Sequence, residues 1–143
     1  MRMKETEIQP RWKERLTVFS NALNRLTAVI DIRKQRKLNE FECDSLIKRF
    51  EFTYEMAWKL MMSFEKENGI IGMLGSKDVV RHAVALGLVE YGEVWMDMID
   101  ARNQTSHVYD EETASDVSDS IIFTFHPLLL ALQEKMKHIE CTD

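Results

Sequence analysis

Residues 40–68 read EFECDSLIKRFEFTYEMAWKLMMSFEKEN. Within them Cys43, Ile47, Phe50, Tyr54, Ala57, Met61 and Phe64 recur every three or four positions, drawing one apolar row along a helix. Gly69 follows at once and stops the helix as a C′ glycine. With only five glycines and two prolines in 143 residues there is little material for hairpins, so an all-helical chain is expected over a sheet.

Upstream, a first helix is expected from Pro10 to Arg36. Trp12, Leu16, Phe19, Leu23, Leu26 and Ile30 alternate spacings of four and three, and Pro10 is accepted in the first turn. The basic run Arg33-Lys34-Gln35-Arg36-Lys37 ends it, where cations complement the macrodipole. Such a run more often solvates a helix end than forms a nucleic-acid patch.

Downstream, Gly69, Gly72 and Gly75 space a loop that follows no strand and lacks a Gly-Lys-Ser/Thr, so it is not a phosphate cradle. Ser76 is expected to cap a short third helix running to Leu86, with Gly87 as its stop. A fourth helix covers Tyr91 to Ser106. Asp110 then caps a fifth, with Ala114, Val117, Ile121, Phe125, Leu128, Leu132, Met136 and Ile139 in register. Pro127 predicts a kink near Phe123, whose carbonyl loses its backbone donor. The expected architecture is all-α: an antiparallel up-and-down four-helix bundle with an additional short helix, residues 1–143 forming one domain.

Composition narrows the class. A hydrophobic fraction of 45% beside 30% charge is that of a folded soluble protein. Cys43 and Cys141 form no CxxC pair, which suits a reduced, cytoplasmic setting. The first residues are too polar for a signal peptide, and Ile121 to Leu132 is too short to span a bilayer, so no membrane role is expected. The net charge of −5 is unevenly spread: residues 1–37 carry ten Lys/Arg against four Asp/Glu, hence +6, and the rest nine against twenty, hence −11. An acidic chain binds nucleic acid poorly without local cations, so any RNA contact should be local or supplied by an assembly.

The stretch Arg102-Asn103-Gln104-Thr105-Ser106-His107-Val108-Tyr109 looks arranged for chemistry. It falls where the amphipathic pattern of Trp95, Met98 and Ile99 runs out. Arg-x4-His alone is a weak signal, since chance supplies about a quarter of an occurrence in a chain of this composition. A purely structural role is open: Arg102 would pair with an acid such as Asp97 or Asp110, and His107 would bond at a helix terminus. The chemical role is metal-free phosphodiester cleavage. A histidine near neutral pKa takes the 2′-hydroxyl proton, and an arginine neutralises charge growing on the phosphoryl oxygens. One histidine cannot act as base and acid together, so this chemistry demands a homodimer. Glu51, Glu55 and Lys59, at i, i+4 and i+8, form either a solvated ion-pair ladder or a carboxylate beside Arg102.

Other chemistries are excluded. There is no HExxH, and no histidine has an acid three residues before it, so no metal site of the usual helical patterns and no cofactor is expected. Gly75-Ser76 has no Asp-x-Asp to follow it, so the chain is not itself a catalytic nucleotidyltransferase of that design.

Three segments, in order, carry a family resemblance. They are Phe50-Glu51-Phe52-Thr53-Tyr54-Glu55-Met56-Ala57-Trp58-Lys59-Leu60; Asp78-Val79-Val80-Arg81-His82-Ala83 with Gly87-Leu88-Val89; and Trp95-Met96-Asp97-Met98 leading into Arg102 through Glu111. The chain resembles the nucleotidyltransferase substrate-binding proteins of the HEPN superfamily. The resemblance implies an up-and-down helical bundle, usually a homodimer, and a small separate partner, a minimal nucleotidyltransferase. It implies a helical protein proposed to bind substrate, by likeness to the helical domain of kanamycin nucleotidyltransferase. In the wider superfamily Arg-x4-6-His proteins are metal-independent ribonuclease toxins, and the partner serves as antitoxin by adenylylating a tyrosine near the histidine. On that basis Arg102 and His107 match the catalytic pair, Asn103 the polar residue after the arginine, and Tyr109 the modified tyrosine. Where the family often has Ser-Pro before the third helix, this chain has Gly75-Ser76-Lys77, which alters a loop only.

The leading expectation is a helical substrate- or nucleotide-binding subunit of a two-component nucleotidyltransferase system, with Arg102, Asn103, His107, Tyr109 and Glu55 at its site. The alternative is a ribonuclease toxin using Arg102 and His107 on RNA. A third is a helical dimer that serves only as a scaffold.

Overall fold

The computed structural model describes residues 10–105 and 111–142. His107 and Tyr109 lie outside the described residues, as does the expected cap Asp110. The elements are α1 (Arg11–Gln35), α2 (Glu40–Glu67), α3 (Ser76–Ala85), α4 (Gly92–Thr105), α5 (Glu111–Ser120), a π-helical turn (Ile121–Phe125) and α6 (His126–Thr142). The described residues contain no strand, and the fold is the expected helical bundle.

α1 and α2 form an antiparallel hairpin. Trp12 meets Phe64 edge-to-face at 5.4 Å between centroids, while Arg49 donates to the Arg25 carbonyl at 2.6 Å. One residue number falls as the other rises, the pairing of helices that run in opposite directions. The joint is held locally. Asn39 Oδ1 accepts from the Glu42 amide at 2.8 Å, and Glu42 Oε1 accepts from the Asn39 amide at 2.9 Å. This reciprocal capping box satisfies two donors at the start of α2. Arg36 then grips the same carboxylate with two hydrogen bonds of 2.8 and 2.7 Å, which with the Asn39 amide holds Glu42 down to about 2.

Gly69 ends α2 as expected, and does so in a Schellman motif. The Ile70 amide reaches the Glu65 carbonyl at 3.0 Å and the Gly69 amide the Lys66 carbonyl at 3.1 Å, with Gly69 at φ 86°. Gly87, at φ 75°, repeats the motif after α3 through Leu88 to Ala83 and Gly87 to Val84. The start of α3 departs from expectation. Gly75 occupies the cap position and Ser76 is the first helical residue. No side chain caps it; Asp78 instead ties the preceding loop to the first turn, its carboxylate accepting from the Leu74 amide at 2.9 Å and pairing with Arg81.

The core joins both expected rows. Trp12, Leu16, Phe19, Leu23, Leu26 and Ile30 of α1 are buried, as are Ile47, Phe50, Tyr54, Ala57 and Met61 of α2. α2 buries a second row besides, Leu46, Thr53 and Leu60, because helices pack on two of its sides: α1 on one, α3 to α5 on the other. Each fully buried aliphatic side chain contributes about 2 kcal/mol, so these rows dominate the fold.

The expected kink is a π-helical turn. The His126 amide bonds to the Ile121 carbonyl, an i to i+5 bond, one position before the proline that cannot donate. The apolar row continues through the turn. Val117, Ile121, Phe125 and Leu129 are buried at successive spacings of four, and Leu132 and Met136 follow. Leu129 is fully buried where the row placed Leu128, which packs partly buried against the core, while Leu132 and Met136 keep their expected places. No described helix is long and apolar enough to cross a membrane.

Candidate functional site

Arg102 continues the buried stripe of α4. Trp95, Met98 and Ile99 are buried against the core, and Arg102 lies one turn further on the same face. That placement turns its guanidinium toward α2. Its Nη1 stands 3.1 Å from Glu51 Oε2, and its Nε 3.8 Å from Glu55 Oε1, the latter an ion-pair distance. Asp97, offered as a structural partner, is exposed on α4 about 140° around the helix from Arg102 and does not meet it.

The two carboxylates are themselves held. Trp58 donates its indole N–H to Glu55 Oε2 at 3.1 Å, and Lys48 Nζ approaches Glu51 Oε1 at 3.5 Å. Glu51 retains only 13% of its side-chain exposure and Arg102 27%, so the pair is partly withdrawn from water and weakly screened. The ladder of Glu51, Glu55 and Lys59 is therefore replaced by a frame around Arg102, with Lys59 outside it.

Tyr54, one residue before Glu55, is buried below this frame. Burial pushes its phenol up to about 12; Ser76 draws it partly back, and Glu55 and Arg102 add smaller opposing effects. Its hydroxyl makes no hydrogen bond of ordinary geometry. The site therefore joins α2 and α4, with the start of α3 close beneath it.

Of the expected site residues, Arg102 and Glu55 are brought together, and Asn103 is exposed on α4. Glu51, expected only as part of the ladder, is the nearer of the two carboxylate partners. Trp58 was not expected as a site residue. Its signal in the sequence is its place three residues after Glu55, within reach on one helical face. Among the described residues no cluster of three or more histidine, cysteine or acidic side chains could hold a metal ion. What the arrangement offers is an arginine oriented by carboxylates at the end of a helix, suited to engaging a phosphoryl group.

The helical bundle has known relatives. The family model described as "Nucleotidyltransferase substrate binding protein like" matches residues 14–138, and the chain belongs to that family. It is 40% identical over 75 residues to a Haemophilus influenzae protein named Probable ribonuclease HepT. That match covers 50% of this chain and 51% of the relative, so the chain aligns with about half of the relative's length. Among solved structures, HI0074 of Haemophilus influenzae, described as revealing the fold of a substrate binding domain of a nucleotidyltransferase, superposes with a TM-score of 0.77 at 29% identity. The match covers 85% of this chain and 98% of that one. A protein of Thermus thermophilus matches at 26% identity and TM-score 0.71, over 82% and 97% of the two chains.

Proposed function

We propose that this protein is the helical member of a two-component system with a small nucleotidyltransferase, engaging the phosphate of a nucleotide or RNA substrate at Arg102. The observation that carries the reading is the frame itself: Glu51 and Glu55 of one helix fix an arginine delivered by another. An arginine serving only as a surface charge needs no such fixing, whereas one that must meet a phosphoryl oxygen gains from a restricted orientation. The family membership supports the partner. In this reading Asn103, His107 and Tyr109 complete the site, the protein works as a cytoplasmic homodimer, and no cofactor is needed.

Co-expression with a small nucleotidyltransferase followed by co-purification tests the pairing, and titration of the helical protein by itself with ATP tests the site. Retention of the partner with loss of nucleotide binding in Arg102→Ala is the expected result. No stable complex, or identical binding by the variant, rejects the reading.

A second reading is favoured by Arg102-x4-His107 together with the relative named as a ribonuclease. Here two copies face one another, and their histidines divide the roles of base and acid in metal-free cleavage of RNA. The partner nucleotidyltransferase silences the toxin by adenylylating Tyr109. Expression of the chain alone should slow growth and fragment RNA, and His107→Ala should do neither. Incubation with partner and ATP should add the mass of AMP to the wild type and not to Tyr109→Phe. Equal growth with intact RNA in both strains removes the ribonuclease.

A further inference from the structure

Away from Arg102, a second polar concavity lies where the first turns of α1 meet the last turns of α2. Arg11, Arg15, Met62, Ser63, Lys66 and Glu67 line it, around about 390 Å³. Three cations face one carboxylate there. No ion pair among the described residues reaches any of the four. Arg15 Nε is shielded from water and has no hydrogen-bond partner, while Ser63 is 5% exposed. A buried donor left unmade is costly, so a groove of this kind is explained by an acceptor that arrives from outside.

Helix-end electrostatics do not account for it. Lys66 sits in the last turn of α2, where the macrodipole welcomes a cation. Arg11 opens α1, where the same effect opposes one, and Arg15 follows a turn later. The cations of α1 are thus held against the local field, in a chain whose net charge is −5. The geometry suits tetrahedral oxyanions: guanidinium groups present forked donors that match phosphate oxygens.

The groove also shares a side of α2 with the Arg102 frame. Lys66 stands eleven residues beyond Glu55, a rise of about 16 Å and a rotation of only about 20°. Half-buried Lys59 lies between them. We propose that Arg11, Arg15 and Lys66 form a second phosphate-binding site, taking a distant phosphate of the nucleotide or RNA strand whose reacting end lies at Arg102. The location of that reacting end rests on the function proposed above; the groove's own affinity for phosphate does not.

The test uses the full chain and three probes: inorganic phosphate, ATP, and a fluorescein-labelled single-stranded RNA of about 12 nucleotides, a typical single-strand footprint. The variant Arg11→Gln/Arg15→Gln/Lys66→Gln should bind the RNA at least ~10-fold more weakly. Its log K against log salt should flatten by about 2 for three lost contacts. A control of equal charge change, Lys77→Gln/Lys135→Gln/Lys137→Gln, replaces exposed lysines elsewhere and should stay within about 2-fold of wild type. Weakened ATP binding with unchanged RNA binding also supports the site and identifies a nucleotide as the source of the phosphate. Equal behaviour of the two triple variants overturns the site, as does a wild type that binds none of the probes. Arg102→Ala separates the two readings. If it abolishes binding while the groove variant is untouched, the groove fails and the Arg102 site stands; the reverse pattern keeps the groove and discards the Arg102 site.

Discussion

Arg102 Nη1 and Glu51 Oε2 meet at 3.1 Å across the gap between α4 and α2, the shorter of two charged contacts from Arg102 that join these helices beyond the apolar packing of Trp95 and Met98. Both groups are partly withdrawn from solvent, so removing either leaves the other to its longer contacts, Arg102 with Glu55 at 3.8 Å and Glu51 with Lys48 at 3.5 Å.

A double-mutant cycle measures this pair. Arg102→Ala and Glu51→Ala should each lower stability by about 1–3 kcal/mol in urea titrations, with a coupling of about 1 kcal/mol. Strictly additive losses would mean that the contact contributes nothing.

Glu65 carries a different kind of tension. Its side chain is fully buried, neither carboxylate oxygen has a hydrogen-bond partner, and burial pushes the acid up to about 8 from its ordinary 4.5. Below about pH 4.5 both folded and unfolded chains hold the proton, and no penalty exists. Between 4.5 and about 8 only the unfolded chain releases it, so stability falls as pH rises and levels off above that range. Glu65→Gln should flatten this slope and raise stability at pH 8 by an amount on the order of a few kcal/mol. Urea midpoints taken across pH 5 to 9 decide it, and parallel curves for the two proteins would refute it.

His126 is tied to α1 by a 2.8 Å hydrogen bond between its Nε2 and Thr27 Oγ1. Burial pushes the imidazole below its ordinary value; Lys34 pushes the same way and Asp31 opposes. The sign is opposite to that of Glu65. As pH falls below about 6.5 the unfolded chain gains a proton that the folded one resists, so stability declines until the folded imidazole also titrates. Thr27→Val removes the partner and should cost about 1–2 kcal/mol at pH 7. A thermal midpoint equal to wild type would show that the bond is of no consequence.

Leu128 and Leu129 separate two possible registers of the last helix. Leu129→Ala should cost about 2–5 kcal/mol, as for a fully buried leucine, and Leu128→Ala markedly less. Equal losses would argue against Leu129 taking the central place beside a half-buried Leu128.

Legibility followed how local the cause was. The ends of α1 and α2 were readable because Pro10 and Gly69 act on their own backbone, and the rows ending in Ile30 and Met61 repeat at one period. Phe123 was readable as a place of disturbance from Pro127. The direction of the repair was not, since a kink and a widened turn both answer a missing donor. Ser76 is a good capping residue, but the helix begins one residue earlier than such a cap requires, with Gly75 at the cap position and Asp78 holding the loop before it. Arg102 was legible as a candidate and Glu55 as its neighbour. That Glu51 is closer, and that Trp58 holds Glu55, depends on how α4 docks on α2, which periodicity within one helix does not encode.

The π turn has an architectural meaning as well. α5 packs on α2 and α4, beside Arg102, whereas α6 packs chiefly on α1. The widened coil between them lets one continuous rod serve two differently angled neighbours, much as an offset coupling joins shafts that are out of line. Substitutions in the Arg102 half can therefore be accommodated by a small rotation there without prising the other half from α1.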